Sequence, residues 1–250
     1  MSQIYKIGVS CAVAAVFMAG MAVAAEGEGW KTSLALGANV NQGNTETMGV
    51  NAALTTGRAT GKMEYRLGIE ANYGENTTMA EDGSENTDKT AQNAKAHANI
   101  KYRLNGTYWY TDDSILHDEI GGIDYRAIIG VGGGLYAMDN AKDKLGLEIG
   151  LAYIIDEFES GEDDDGVSLR LAARHDHTFS ETAKCWASVE YLPNMDDFED
   201  YLLNAEIGTE TMLNSTLSLR VVAQDRYDGE PPDGLEANDL SLVAALVYTH

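Results

Sequence analysis

Beyond residue 25 the chain has no apolar run long enough for a membrane helix, so any crossing of a bilayer has to be made by strands. Cysteine is nearly absent. Of the 2 present, Cys11 falls in the leader, which leaves Cys185 alone: no intrachain disulfide framework is possible, and a thiol catalyst has no partner motif. Proline is scarce, at 3 residues, against 26 Gly, 13 Tyr and many Thr and Asn, a composition suited to strands and turns. Basic residues are few as well. The 17 Lys and Arg against 40 Asp and Glu give a formal net charge of -23, which makes nucleic acid a very poor partner. The hydrophobic fraction of 44% is ordinary, and it fits a chain in which only alternate residues meet lipid.

What is present begins with a leader. Lys6 supplies a positive start, Ile7 to Val23 an apolar stretch, and Ala22-Val23-Ala24 or Val23-Ala24-Ala25 a small-residue cleavage site. Residues 1–25 therefore read as a cleaved secretory signal and 26–250 as one domain. An uncleaved anchor fits less well, because the small residues precede an abrupt polar stretch, Glu26 to Gly29.

The clearest element is Lys62 to Tyr73. Met63, Tyr65, Leu67, Ile69, Ala71 and Tyr73 alternate without a break with Lys62, Glu64, Arg66, Gly68, Glu70 and Asn72. This is the period of a strand. The same alternation recurs from Trp30 to Val40, Met48 to Thr56, Ala94 to Leu104, Thr107 to Thr111, Tyr125 to Leu135, Leu145 to Ile155, Val167 to Asp176, Cys185 to Tyr191, Leu203 to Glu210, Leu217 to Gln224 and Leu240 to Tyr248. About twelve strands result, each close to the roughly 9–11 residues that a tilted membrane strand needs.

The connections alternate too. Those after odd-numbered strands are acidic and mostly long, among them Gly74–Thr90, Asp112–Gly122, Asp156–Gly166 and Leu192–Asp200, whereas Thr60-Gly61, Asn105-Gly106 and Asn214-Ser215 are tight. A β-sandwich has no reason for such regularity; an up-and-down antiparallel transmembrane β-barrel does. Lys or Arg on the lipid face near the midplane costs about 2–4 kcal/mol, and the central outward positions hold none. Trp30, Tyr65, Tyr73, Tyr102, Tyr108, Tyr153, Tyr191 and Tyr248 fall near strand ends, where an interfacial girdle is expected.

The stretch Leu116-His117-Asp118-Glu119-Ile120-Gly121-Gly122-Ile123-Asp124-Tyr125-Arg126, followed by Gly130-Val131-Gly132-Gly133-Gly134, resembles a pattern of the YdiY-like family of salt-induced outer-membrane proteins. Trp30 with Gly43-Asn44-Thr45 is similar to that family's opening strand and turn. The resemblance implies a barrel of unestablished activity.

On the inward face the alternation sets Glu64, Arg66, Glu70, Lys95, His97, Lys101, Arg103, Asp124, Arg126, Glu148, Arg170, Arg174, Glu190, Glu206 and Arg220, with Asp176 and Glu210 beside them. Opposed charges on neighbouring strands suit either a lumen that selects a small polar solute or a salt-bridge network that plugs the barrel. Twelve strands lie between the filled eight and the open sixteen. Gly130, Gly132 and Gly134 share this face, as a smooth strip, as room for long side chains from the opposite wall, or as a flexing strand.

Asp163, Asp165, Asp196 and Asp197 are weak candidates for divalent-cation ligands in acidic loops, without EF-hand spacing. His175-Asp176-His177 offers two histidines, but Asp176 falls on the opposite face, which argues against a metal pair or triad. The expectation is a monomeric, non-enzymatic outer-membrane barrel without cofactor, passing ions or small hydrophilic solutes. A closed structural or envelope-stress barrel is the alternative, and an outer-membrane enzyme a distant third. Expected partners are outer-membrane lipid and lipopolysaccharide, bridged by divalent cations, and the barrel-assembly machinery.

Overall fold

The computed structural model describes residues 29–42, 47–79, 85–232 and 234–249. The expected signal, 1–25, and the turn residues Gly43 to Thr45 lie outside them. Twelve strands follow in order: β1 (Lys31–Gln42), β2 (Thr47–Thr60), β3 (Met63–Met79), β4 (Glu85–Leu104), β5 (Thr107–Asp118), β6 (Ile123–Asp139), β7 (Asp143–Phe158), β8 (Asp163–Thr178), β9 (Ala183–Pro193), β10 (Tyr201–Met212), β11 (Leu217–Asp228) and β12 (Asn238–Thr249). Each pairs antiparallel with its chain neighbour, and β1 pairs with β12 from Ser33↔Thr249 to Gln42↔Leu240, which closes the barrel and leaves no free edge.

The hydrophobic effect is turned outward. Ile129, Val131, Ile149, Leu151, Ile207, Leu242 and Leu246 are among the most exposed side chains, and register carries the belt sideways, as in Val131↔Leu151 and Leu151↔Leu169. A soluble monomer rarely exposes an apolar patch larger than a few hundred Å². Here the belt circles the barrel, as lipid requires.

The strands outrun the hydrophobic pattern. β3 and β4 have 17 and 20 residues and stay paired out to Met79↔Glu85, so most of Gly74–Thr90 is ladder and not loop. Asp112–Asp118 continues β5, and β7 and β8 remain paired to Glu157↔Asp163, so the acidic stretches expected there as loops are largely strand. The reason is physical: above the lipid both faces meet water, so the ladder persists while the alternation fades. Among the described residues the connections at that end shrink to 119–122, 159–162 and 194–200, against 61–62, 105–106, 140–142, 179–182 and 213–216 at the other. At Gly61 and Gly106 the turns need φ of 55° and 80°, a region that residues with a Cβ rarely adopt.

Candidate functional site, the barrel lumen

Twelve of the fifteen expected lumen residues border the interior cavities, Glu64 and Arg103 pair with each other nearer the short turns, and Asp124 lies apart. Asp124 belongs to an irregularity between Ile123 and Tyr125, which breaks the alternation; its side chain is 58% exposed, beside His117 on the outside. Tyr108 is a second correction. It points into the barrel and is 2% exposed, so it is no girdle residue.

Tyr108 and Tyr110 explain the glycines. A Cβ on Gly134 would meet the Tyr108 ring at 2.5 Å, and one on Gly132 would meet the Tyr110 hydroxyl at 2.5 Å and the Ile149 carbonyl oxygen at 2.4 Å. Gly146 and Gly150 on β7 are similarly close to the two hydroxyls. Gly132, Gly134, Gly146 and Gly150 form a shallow recess in which tyrosines from the adjacent strand β5 lie flat, whereas Gly130 has the Asp112 carbonyl oxygen and the Arg170 side chain beside it. Cations then cover the rings: Lys101 Nζ lies 4.6 Å from the Tyr108 centroid, and the Arg170 guanidinium 4.8 Å from that of Tyr110.

Arg170 is the centre of the wall. Its side chain is 5% exposed and donates to Asp112 at 2.6 Å, Glu148 at 2.8 Å and Glu190 at 2.6 Å. Glu148 also accepts from Lys101 at 2.6 Å and from the Tyr108 hydroxyl at 2.9 Å. Nearer the short turns, Glu64 is held by Arg103 at 3.0 Å and Lys144 at 3.3 Å, and Glu210 by Arg220 at 2.7 Å and Lys184 at 3.1 Å. Arg174 bonds Asp176 on its own strand. Arg66, Lys95 and Arg226 make no ion pair among the described residues, although all three border the interior space.

That space is a succession of cavities that share walls. The largest, 470 Å³, lies toward the short turns, bordered by Lys31, Lys184 and Arg220. Arg66, Glu70, His97, Arg174 and Glu206 also border the next, of 280 Å³. Lys95, Asn204 and Arg226 connect that one to a cavity of 100 Å³, which shares Asp118, Gly121, Arg226 and Asp239 with one of 40 Å³, and Arg126, Leu202 and Asp228 with one of 170 Å³. The interior is tightest in the 100 and 40 Å³ cavities, and the 170 Å³ cavity lies beneath the longer connections.

Two features stand where the 100 and 170 Å³ cavities meet. Arg126, 9% exposed, donates to Asp156 at 2.6 Å and to Asp228 at 3.1 Å. Ala152, Leu192 and Leu202 form a buried apolar cluster, with Ile128 and Ile154 packed against it. Beside this junction the connection 229–237 carries Glu230, whose carboxyl is pushed up by loss of solvent and then by the carboxylates of Asp200, Asp197 and Glu199. The weak metal candidates are not gathered. Asp163 and Asp165 belong to β8, where Asp165 accepts the Tyr153 hydroxyl, while the Asp197 carboxylate accepts the Glu199 amide at 2.9 Å within its own loop.

A closed twelve-stranded antiparallel barrel with an apolar outer belt and a charged, hollow interior defines a transmembrane β-barrel of the porin type of architecture. Residues 34–250 match the family described as "Protein of unknown function, DUF481", and the chain belongs to it. Among the solved structures that share the fold, two are compared at low identity. The NanC porin is 8% identical with a TM-score of 0.57, and the KdgM porin 10% identical with a TM-score of 0.51; each comparison covers 86% of this chain and 98% of the other. A search of the curated proteins returns no sequence match.

Proposed function

We propose that the protein is a narrow, passive channel of an outer membrane, passing ions or small hydrophilic solutes between opposed charges. The observation that carries this reading is the run of cavities with common walls from Lys184 and Arg220 at one end to Asp118 and Asp239 at the other. The 280 Å³ cavity sets Arg66, Lys95, Lys101, Arg170, Arg174 and Arg226 against Glu70, Asp112, Glu148, Glu190, Glu206 and Asp225, so the passage is far better balanced in charge than the chain as a whole. A solute that exchanges its water for such walls meets both donors and acceptors. The fold shared with two porins supports the same reading, as does the apolar belt for a place in the outer membrane.

A second reading, a closed structural barrel, is favoured by the same junction: Arg126 bound to two carboxylates, beside the Leu192–Leu202 cluster. Planar-bilayer recording separates the two. As a channel, the refolded protein gives discrete conductance steps, and Arg126→Ala, which removes a long side chain bordering both the 100 and the 170 Å³ cavity, gives larger ones. A parent that stays silent while heat-modifiable gel migration shows a folded barrel favours the closed reading, most clearly if Arg126→Ala then conducts.

A further inference from the structure

A feature that the channel leaves unused lies on the outer wall, at the rim with the short turns. His175 and His177 are two residues apart on β8 and so share a face. Antiparallel register sets Asp143, the first residue of β7, directly opposite His177. The sequence pattern excluded Asp176 as their partner, and Asp176 does point inward to Arg174. The carboxylate that joins the histidines comes instead from the neighbouring strand.

Asp143 Oδ1 stands 3.2 Å from His175 Nε2 and 2.7 Å from His177 Nδ1. One ligand atom from each of the three residues lies within 4.8 Å of the other two. A zinc ion with bonds of about 2.0–2.1 Å separates its tetrahedral ligands by about 3.3 Å. Small side-chain rotations therefore suffice to bring all three atoms onto one ion. Two imidazoles with one carboxylate suit zinc-class ions, whereas calcium and magnesium prefer oxygen alone. The Phe179 ring meets the His177 ring edge-on, 4.7 Å between centroids, which restrains that ligand's orientation. The three side chains are 28–40% exposed, so a fourth coordination position opens outward.

We propose that Asp143, His175 and His177 form a three-ligand site for a zinc-class divalent ion, with the fourth position open to water, joining β7 to β8 at the rim. The site is independent of whether the lumen conducts.

Cobalt(II) as a visible-light probe, displaced by zinc(II), tests it on protein purified without a histidine tag and folded in detergent micelles. Cys185 faces His177 across the β8–β9 register, so all measurements use a Cys185→Ser background, in which a lone thiol cannot account for binding. The expected result is one equivalent of cobalt with four-coordinate absorption, displaced by one equivalent of zinc. His175→Ala and His177→Ala should each weaken binding by about 100-fold or more, since even loss of a group that only orients a ligand costs about 10–100-fold. Asp143→Asn should weaken it by about 10-fold or more. Heat-modifiable migration reports that each variant is folded. Absence of stoichiometric binding by the folded parent, or binding that survives either histidine substitution, overturns the proposal.

Discussion

Arg170→Met removes the cation at the centre of the wall and keeps a side chain of similar length. In the parent, Arg170 satisfies Asp112, Glu148 and Glu190 at 2.6–2.8 Å. Breaking a buried pair by deleting one partner costs about 3–5 kcal/mol, because the other charge is left uncompensated. Two facts place this case at the low end. Asp112 and Glu190 are 30% and 29% exposed in their side chains, so lumen water solvates them in part, and Glu148 retains Lys101 at 2.6 Å. The expected loss is about 3 kcal/mol, roughly a 150-fold change in the folding equilibrium. Arg170→Lys should fall between, since an ammonium lacks the planar fork that reaches three acids at once. Adding Asp112→Asn to Arg170→Met should recover part of the loss, a coupling that independent sites do not show. Equilibrium guanidinium unfolding of the barrel in micelles, followed by tryptophan fluorescence, measures these four proteins and Asp112→Asn alone, which completes the cycle. An Arg170→Met barrel within about 1 kcal/mol of the parent would refute the reasoning.

Gly132→Val should prevent or severely slow refolding, because its Cβ meets the Ile149 carbonyl oxygen at 2.4 Å, whereas Gly133→Val should fold, its nearest neighbour being Trp109 at 3.7 Å on the outer side. Refolding yield by heat-modifiable migration compares them, and equal yields would contradict the recess. Ile149→Arg, on a residue 60% exposed to lipid, should cost about 2–4 kcal/mol. Ala172→Arg should cost less in the same unfolding assay, because register places residue 172 on the lumen face between Glu148 and Glu190. An equal cost at both positions would contradict the assignment of faces.

The architecture was legible because lipid imposes a period of two on every strand, and Met63 to Tyr73 and Leu145 to Ile155 carry it without a break. Strand ends were not legible. From Gly74 outward the residues meet water on both faces, so nothing in the side-chain pattern marks where the backbone ladder stops, and β3 runs on to Met79. The interior residues followed from the same period, except where an irregularity beside Asp124 shifted the phase, which composition does not signal. Tyr108 was misplaced for a related reason: a tyrosine near a strand end fits a girdle as well as a lumen, and only the glycines facing it across β6 and β7 decide. Asp143 was missed because its pairing with His177 depends on the register of two strands joined by a distant connection, a non-local fact that spacing along the chain does not contain.

The central claim is that the linked cavities form a path for solutes past Arg66, which borders the two largest of them without an ion pair among the described residues. The reversal potential under a salt gradient, for the parent and for Arg66→Glu in a planar bilayer, tests it most directly. A pathway predicts discrete steps in both proteins and a shift toward cation selectivity in Arg66→Glu, because the local charge changes by two. A reversal potential that does not move, in barrels shown to be folded, would contradict it.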